Sequence, residues 1–145
     1  MNKIIKLSYE GKDFGYMGMK KNGNMHVFYG GADKSDAVEF KQVEYPKRSN
    51  AYYYEVVKQS KHYLDIKATN SVLFADKPNI SLAMSSIVAW EEVDGELHAI
   101  ISGKDTTKSV SRSAADPDST TLYGNLTFGD GNTCKVKILD AEKVS

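Results

Sequence analysis

Residues 61–93 read KHYLDIKATNSVLFADKPNISLAMSSIVAWEEV, and they hold the densest apolar run of the chain together with its one tryptophan, Trp90. Tyr63, Leu64 and Ile66 lead into a Thr-Asn-Ser turn, and Val72, Leu73 and Phe74 follow. A second turn, Asp76 to Asn79, precedes Leu82, Met84, Ile87, Val88 and Trp90. Short runs of β-branched and aromatic residues separated by turn formers are the signature of strands. The stretch therefore reads strand, turn, strand, turn, strand.

The same rhythm runs through the rest of the chain. Nine tyrosines and few stretches of helical apolar spacing predict an all-β fold. The pattern gives about twelve short antiparallel strands, over 3–9, 14–20, 24–30, 38–45, 52–58, 61–67, 71–75, 82–93, 96–102, 108–113, 120–128 and 133–139. Asn22-Gly23, Asp94-Gly95 and Asp130-Gly131 are the dipeptides that accept the positive φ of a two-residue hairpin turn. Ser85-Ser86 interrupts the eighth strand and predicts a bulge or a bend there.

Two periods compete. A 36-residue period puts His26, His62, His98 and Cys134 in one phase, and a regular meander of strands produces that spacing without any true repeat. A period near 48 groups the strands in three units of four. IIKLSYEG, YYYEVVKQ and ELHAIISG head the units; GYMGMKK, KHYLDIK and TKSVSRS come second. NMHVFYGGAD and SVLFAD match as third strands, with LYGNLTFG or, in a competing register, VSRSAAD as the last. VEFKQVEY, AMSSIVAWEEV and CKVKILDA close the units.

Three units of four strands resemble a β-trefoil, and LDIKATNSVLFADKP is similar to the middle strand-turn-strand of a trefoil unit. The resemblance implies a rigid all-β binding scaffold, lectin-like in its relatives, although trefoils serve many ligands. The Gln-x-Trp of the ricin-like branch is missing, since Val88-Ala89-Trp90 lacks the glutamine, so that branch's sugar-site residues do not carry over. A β-sandwich or meandering barrel is the alternative architecture.

At 145 residues the chain is one ordinary domain, 1–145. Nineteen basic and nineteen acidic residues leave no net charge, so neither a nucleic acid nor an anionic membrane is an expected partner. No run approaches a membrane span, and the first residues lack the apolar core of a signal peptide, which predicts a cytoplasmic protein or one secreted without a recognisable signal. Cys134 is the one cysteine and reads as a packed thiol. The sequons at Asn79 and Asn125 carry no weight without a secretory signal.

No constellation points to catalysis, because no serine sits in a nucleophile elbow and the histidines fall in strands. Asp33, Asp36, Asp116 and Asp118 read as loop caps. The three histidines and Cys134 lack the short local spacing of a zinc site, and Gly15-x-x-Gly18 and Gly30-Gly31 lack phosphate-cradle spacing, so no metal or cofactor is expected. Lys47-Arg48 with Lys41 and Lys58 reads as a solvated basic face. Trp90 shares a strand face with Val88 and is expected in the core.

The expected function is that of a non-catalytic binding module, with carbohydrate or a glycoprotein as the first partner class. Tyr52, Tyr54, Asn50 and Asp76 are the leading candidates, with Asp33 and Asn79 behind them. In a strand Tyr53 turns toward the core while Tyr52 and Tyr54 share the other face, where a ring can stack on sugar C–H groups. Homo-oligomerisation is one route by which weak sites of this kind gain avidity. The alternative is a protein-binding module, such as a protease inhibitor or toxin-associated subunit, acting through the proline-containing loop Ser113 to Ser119.

Overall fold

The computed structural model of the protein describes residues 1–113, 118–125 and 133–141. Twelve strands run through them: β1 (Lys3–Tyr9), β2 (Lys12–Asn22), β3 (Met25–Ala32), β4 (Phe40–Glu44), β5 (Ala51–Val56), β6 (Tyr63–Ile66), β7 (Leu73–Asp76), β8 (Ala89–Val93), β9 (Glu96–Ile101), β10 (Lys104–Arg112), β11 (Leu122–Asn125) and β12 (Lys135–Asp140). Every strand belongs to one continuous sheet. Short 3₁₀ turns stand at Lys34–Asp36 and Met84–Ser86. None is long and apolar enough to cross a membrane.

The pairings have threefold order. Strands β1, β4, β5, β8 and β9 neighbour one another in turn, and β12 closes the ring by pairing with β1 and by the hydrogen bond from Val136 N to Gly95 O. These six strands wall the barrel, its β9–β12 side held by that backbone hydrogen bond, while the ladder pairings themselves close a ring of seven, β1-β4-β5-β6-β7-β3-β2. The strands outside the six form three hairpins, β2–β3, β6–β7 and β10–β11, that meet over one end of the barrel. Their contacts repeat cyclically: Val27 pairs with Phe74, Val72 with Tyr123, and Thr121 with Tyr29. The segments Val27-Phe28-Tyr29, Val72-Leu73-Phe74 and Thr121-Leu122-Tyr123 are therefore equivalent, and their middle residues Phe28, Leu73 and Leu122 are all buried.

This cycle settles the register. LYGN supplies the third strand of the last unit, whereas Val110, Ser111 and Arg112 of VSRSAAD lie in β10. It also removes the 36-residue period as a structural repeat. His26 lies on β3, His62 just before β6, His98 on β9, and Cys134 is buried in the core just before β12. No group of three metal-capable side chains comes together among the described residues.

The barrel is filled by Ile5, Leu7, Phe40, Tyr54, Trp90, Leu97 and Val136, and its core continues under the hairpins through Met17, Phe28, Leu64, Leu73, Val110 and Leu122. Trp90 is fully buried, as its strand face predicts, and its indole donates to Leu64 O at 3.0 Å. A buried indole without that acceptor would carry a desolvation cost of about 1–3 kcal/mol.

The tyrosine strand departs from expectation. Tyr52 and Tyr54 do share a face, but it is the inner one: Tyr54 is 1% exposed and meets Phe40 edge-on at 5.7 Å. Tyr53 points to the outside, where Tyr45 and Tyr63 cover it at 5.4 and 6.3 Å. These three join Ala51, Ile87, Ala89 and Ile100 in a second apolar cluster on the outer wall of the barrel. With β5 wedged between β4 and β8 and covered on both sides, Tyr54 is not available as a sugar platform.

The eighth strand is also shorter than expected, starting at Ala89 instead of Leu82. Residues 77–88 form a self-bonded loop. Ala83 N donates to Asn79 O at 2.7 Å, Asn79 N to Ser86 Oγ at 2.8 Å, and Ser86 Oγ to Ala83 O at 2.8 Å. Serine hydroxyls bonding to nearby backbone compete with strand pairing, which is why the apolar run here does not extend the ladder. Of the hairpin dipeptides, Asn22-Gly23 and Asp94-Gly95 turn as expected, with Gly23, Asp94 and Gly95 at positive φ. Asp130-Gly131, residues 114–117 of the expected insertion loop, and Leu126-Thr127 of the second sequon lie outside the described residues.

Candidate functional site

The six residues singled out in the sequence do not form one site. Asn50 is exposed at φ +66° in the turn between β4 and β5, while Tyr52 packs against the barrel core. Asp76, at the end of β7, is hydrogen-bonded to the buried carboxyl of Asp65. Asn79 is exposed, but its side-chain oxygen accepts from Ser81 N at 2.8 Å and shapes its own loop.

Asp33 is different. It lies at the end of β3 beside a shallow open groove of about 390 Å³, lined by Asp13, Phe14, Gly15, Tyr16, Gly31, Ala32 and Lys34 as well. The groove exists because two backbones meet. Gly15 has φ +62°, and a Cβ added there would lie 2.7 Å from the Cα and carbonyl carbon of Gly31, itself at φ +85°. Glycine at both positions lets β2 and β3 approach face to face, leaving a floor without side chains. A register shift in the β2–β3 ladder falls here, between the Tyr16–Ala32 and Gly18–Tyr29 pairs, so Gly30 and Gly31 sit in a bulge.

Phe14 forms one wall and is held on two sides. Its ring lies so close over Gly30 that a Cβ there would come within 2.3 Å, and the Arg112 guanidinium stacks 4.6 Å from the ring centroid and 4.8 Å from that of Tyr9. A cation held over an aromatic face contributes about 0.5–2 kcal/mol. Arg112 comes from β10, so the wall is built by the first and last units together. Tyr16 is half-buried and lines the groove.

Polar groups complete the groove. Asp13 accepts from Gly15 N at 3.0 Å with one oxygen, which fixes its carboxylate at the rim. Asp33 precedes the 3₁₀ turn without capping it through its side chain, and its carboxylate makes no hydrogen bond or ion pair with a described residue. Lys34 follows at the edge. Two carboxylates, an amine and a half-buried ring over a bare backbone floor can accept and donate to several hydroxyls at once. Asp13 and Tyr16 went unnoticed in the sequence, because only the glycine contact between strands joins them to Asp33, and Lys34, its neighbour in the chain, was not singled out.

No family model matches the sequence, and neither does any curated protein. Whole-structure comparison finds similarity to BEL, a β-trefoil, with TM-score 0.53 and 8% identity over 94% of this chain and 92% of that one. The fold is a β-trefoil. A second similar structure is the GlcNAcα1-4Gal releasing endo-β-galactosidase from Clostridium perfringens, with TM-score 0.56 and 14% identity over 97% of this chain. The trefoil chain spans about a third of that enzyme's length, since 33% of it is covered. At these identities the likeness is one of fold alone. Within the trefoil, the groove lies where the first hairpin leaves the cap, with Asp33 opening the connection back to the barrel.

Proposed function

We propose that this trefoil is a non-catalytic carbohydrate-binding module whose first site is the groove between Asp13–Tyr16 and Gly31–Lys34. The unengaged carboxylate of Asp33, in a glycine-floored groove that Tyr16 also lines, carries the reading. A carboxylate accepts from two vicinal hydroxyls, and an aromatic ring covers the C–H face of the same sugar. The shallow shape suits a terminal or internal sugar of a neutral glycan, held weakly by each site and strengthened by multivalency. The presence of this fold within an enzyme named for acting on a galactoside fits that ligand class.

The test is a neutral-glycan array followed by calorimetry on the best ligand. Asp33→Asn keeps the shape and removes the charge, so it should weaken binding at least about tenfold, since a hydrogen bond to a charged group contributes about 1.5–3 kcal/mol. Tyr16→Ala should weaken it by a similar factor. An array without a single bound neutral glycan at high protein concentration would overturn the reading.

A second reading rests on the β7–β8 loop. Its hydrogen-bonded frame displays Ile80, fully exposed at 101%, and Leu82 at 58%. A stiff convex loop with an apolar tip suits insertion into a cleft of another protein, and it stands in for the expected 113–119 loop. Inhibition of a proteinase from a broad panel, lost on Ile80→Ser with Leu82→Ser, would support this role; a panel without inhibition removes it.

A further inference from the structure

The seam where the first and last strands meet carries a second groove, of about 350 Å³, lined by Lys6, Leu7, Ser8, Asp13, Gly95, Lys135, Val136 and Lys137. Its charge follows from strand register. Lys6 stands opposite Lys137 and Ser8 opposite Lys135 in the antiparallel β1–β12 pair, so three ammonium groups share the outer face while Leu7 and Val136 turn inward. Like charges directly opposite one another in a ladder are destabilising, and sequences ordinarily avoid them or neutralise them with an acid. Here Lys135 pairs with Glu96 at 3.3 Å, but neither Lys6 nor Lys137 makes an ion pair with a described residue. The acid in the wall is Asp13, whose Oδ1 accepts from Gly15 N. In a chain with no net charge, this concentration of unneutralised lysines is a local feature and not the overflow of a basic protein.

We infer that the β1–β12 groove binds the sulfate or carboxylate groups of an acidic saccharide chain, with Lys6 and Lys137 as the paired anion ligands and Lys135 as a third contact. The groove lining has no aromatic ring, so it offers nothing for bases to stack on, and single-stranded nucleic acid is the poorer fit. Ser8 and the backbone around Gly95 supply hydroxyl and amide groups for the uncharged parts of a sugar. Asp13 lies in the walls of both grooves, so an extended chain crossing it can reach the Asp33 side as well. The inference rests on lysines that the neutral-sugar site does not use, with only Asp13 shared, and stands without it.

Binding of dextran sulfate, measured by calorimetry against neutral dextran of equal length, inorganic sulfate and a single-stranded oligonucleotide, tests the proposal. Dextran sulfate should bind, and its affinity should fall about tenfold between low salt and about 0.3 M salt, as screening shortens the reach of the lysines. Lys6→Gln with Lys137→Gln should cost at least about tenfold, whereas Lys21→Gln with Lys77→Gln, which removes the same charge from exposed positions elsewhere, should cost less than about twofold. The groove variant should also be no less stable than the native protein, because relief of the Lys6–Lys137 repulsion accompanies the loss of affinity. Inorganic sulfate competing only at millimolar concentration identifies the polymer as the ligand; sulfate alone matching dextran sulfate per anion overturns the saccharide assignment. Equal loss in both lysine pairs, equal binding of the oligonucleotide, or no binding of dextran sulfate at low salt each overturns the proposal. Loss of neutral-glycan binding in Asp33→Asn with dextran sulfate binding intact would separate the two sites.

Discussion

His98 Nδ1 lies 2.8 Å from Asp105 Oδ2 across the β9–β10 hairpin, and the other ring nitrogen lies 3.1 Å from Glu96 Oε1. The imidazole is nearly buried between two carboxylates. Burial pulls its pKa down, but the hydrogen bonds to Asp105 and Glu96 outweigh that and hold it above the ordinary 6.5. For Asp105, burial pushes up, and the hydrogen bonds from His98 and Thr107 N, with the nearby His98 and Arg48 charges, bring it below 3.8. The His98 contribution to stability is therefore complete below pH 6.5 and is lost as pH rises through the raised value. That of Asp105 is complete above pH 3.8 and is lost as pH falls through the lowered one. Urea midpoints across pH should show His98→Gln costing about 2 kcal/mol near pH 6 and clearly less near pH 9. Asp105→Asn should flatten the acid limb. A His98→Gln penalty independent of pH would contradict the ion-paired state.

Asp65 supplies the opposite sign. Burial, then the hydrogen bond with Asp76, pushes its carboxyl up to about 8, although Ile66 N and Val88 N both donate to it. The folded protein thus holds a proton that the unfolded chain releases near pH 3.8, and stability falls as pH rises toward 8. Asp65→Asn keeps the acceptor oxygen and gives Asp76 a permanent donor. Its thermal midpoint should exceed the native one at pH 9, with the difference shrinking as pH is lowered toward 5. A native midpoint higher than the variant's at pH 9 would refute the shared proton.

Gly15→Ala should be among the costlier single-methyl changes in the chain. The added carbon meets backbone at 2.7 Å on Gly31 and 2.9 Å on Ala32, and backbone cannot rotate aside as a side chain can. Overpacking of this kind costs about 1–3 kcal/mol, and the positive φ adds to it. Gly23→Ala, at positive φ with open space around it, is the control that measures the φ penalty alone. Chemical denaturation of the two variants separates the terms, and equal losses would mean that β2 and β3 can part without cost.

Ala83 takes φ 50° and ψ −137° at the neck of the β7–β8 loop, a conformation few residues other than glycine adopt. Relief of about 1–3 kcal/mol of backbone strain exceeds the about 0.4–1 kcal/mol that glycine costs through the unfolded chain. Ala83→Gly should therefore raise stability by about 1 kcal/mol, read as a higher denaturation midpoint with an unchanged slope. A lower midpoint would show that the loop's hydrogen bonds already absorb the strain.

The architecture was legible where local chemistry and period agreed. The 48-residue grouping placed the first, second and fourth strands of each unit and left the last third strand open between LYGNLTFG and VSRSAAD, because runs of apolar residues mark the strands and the turns carry their own dipeptides. Trp90 was read as core for the same reason. Faces were harder to read. Alternation says that Tyr52 and Tyr54 share a side, but only the closing of β4 and β8 around β5 says which side is inside, and here both are covered. The grooves were illegible because their parts are distant in sequence: Asp13 and Asp33 meet through two glycines, and Lys6 and Lys137 through the pairing of the first and last strands. Residues 82–87 misled because serine side chains bond to their own backbone, which apolar spacing does not reveal.

The seam between β1 and β12 also governs how the chain becomes a barrel. Ala141 N donates to Asn2 O at 2.9 Å, and six cross-strand pairs from Lys3↔Asp140 to Ser8↔Lys135 tie the first strand to the last. During folding β1 therefore waits, with one edge unpaired, until β12 is in place. Contacts so far apart in sequence make folding slow and leave that edge open to wrong partners in the meantime. The lysines along it are then useful before any ligand arrives, since charged side chains on a strand edge discourage another strand from docking there. The same adjacency of ends means that joining them by a short linker and reopening the chain at the Asn22-Gly23 hairpin tip would leave every strand with its present neighbours, while moving the last closure to a different place in the order of assembly.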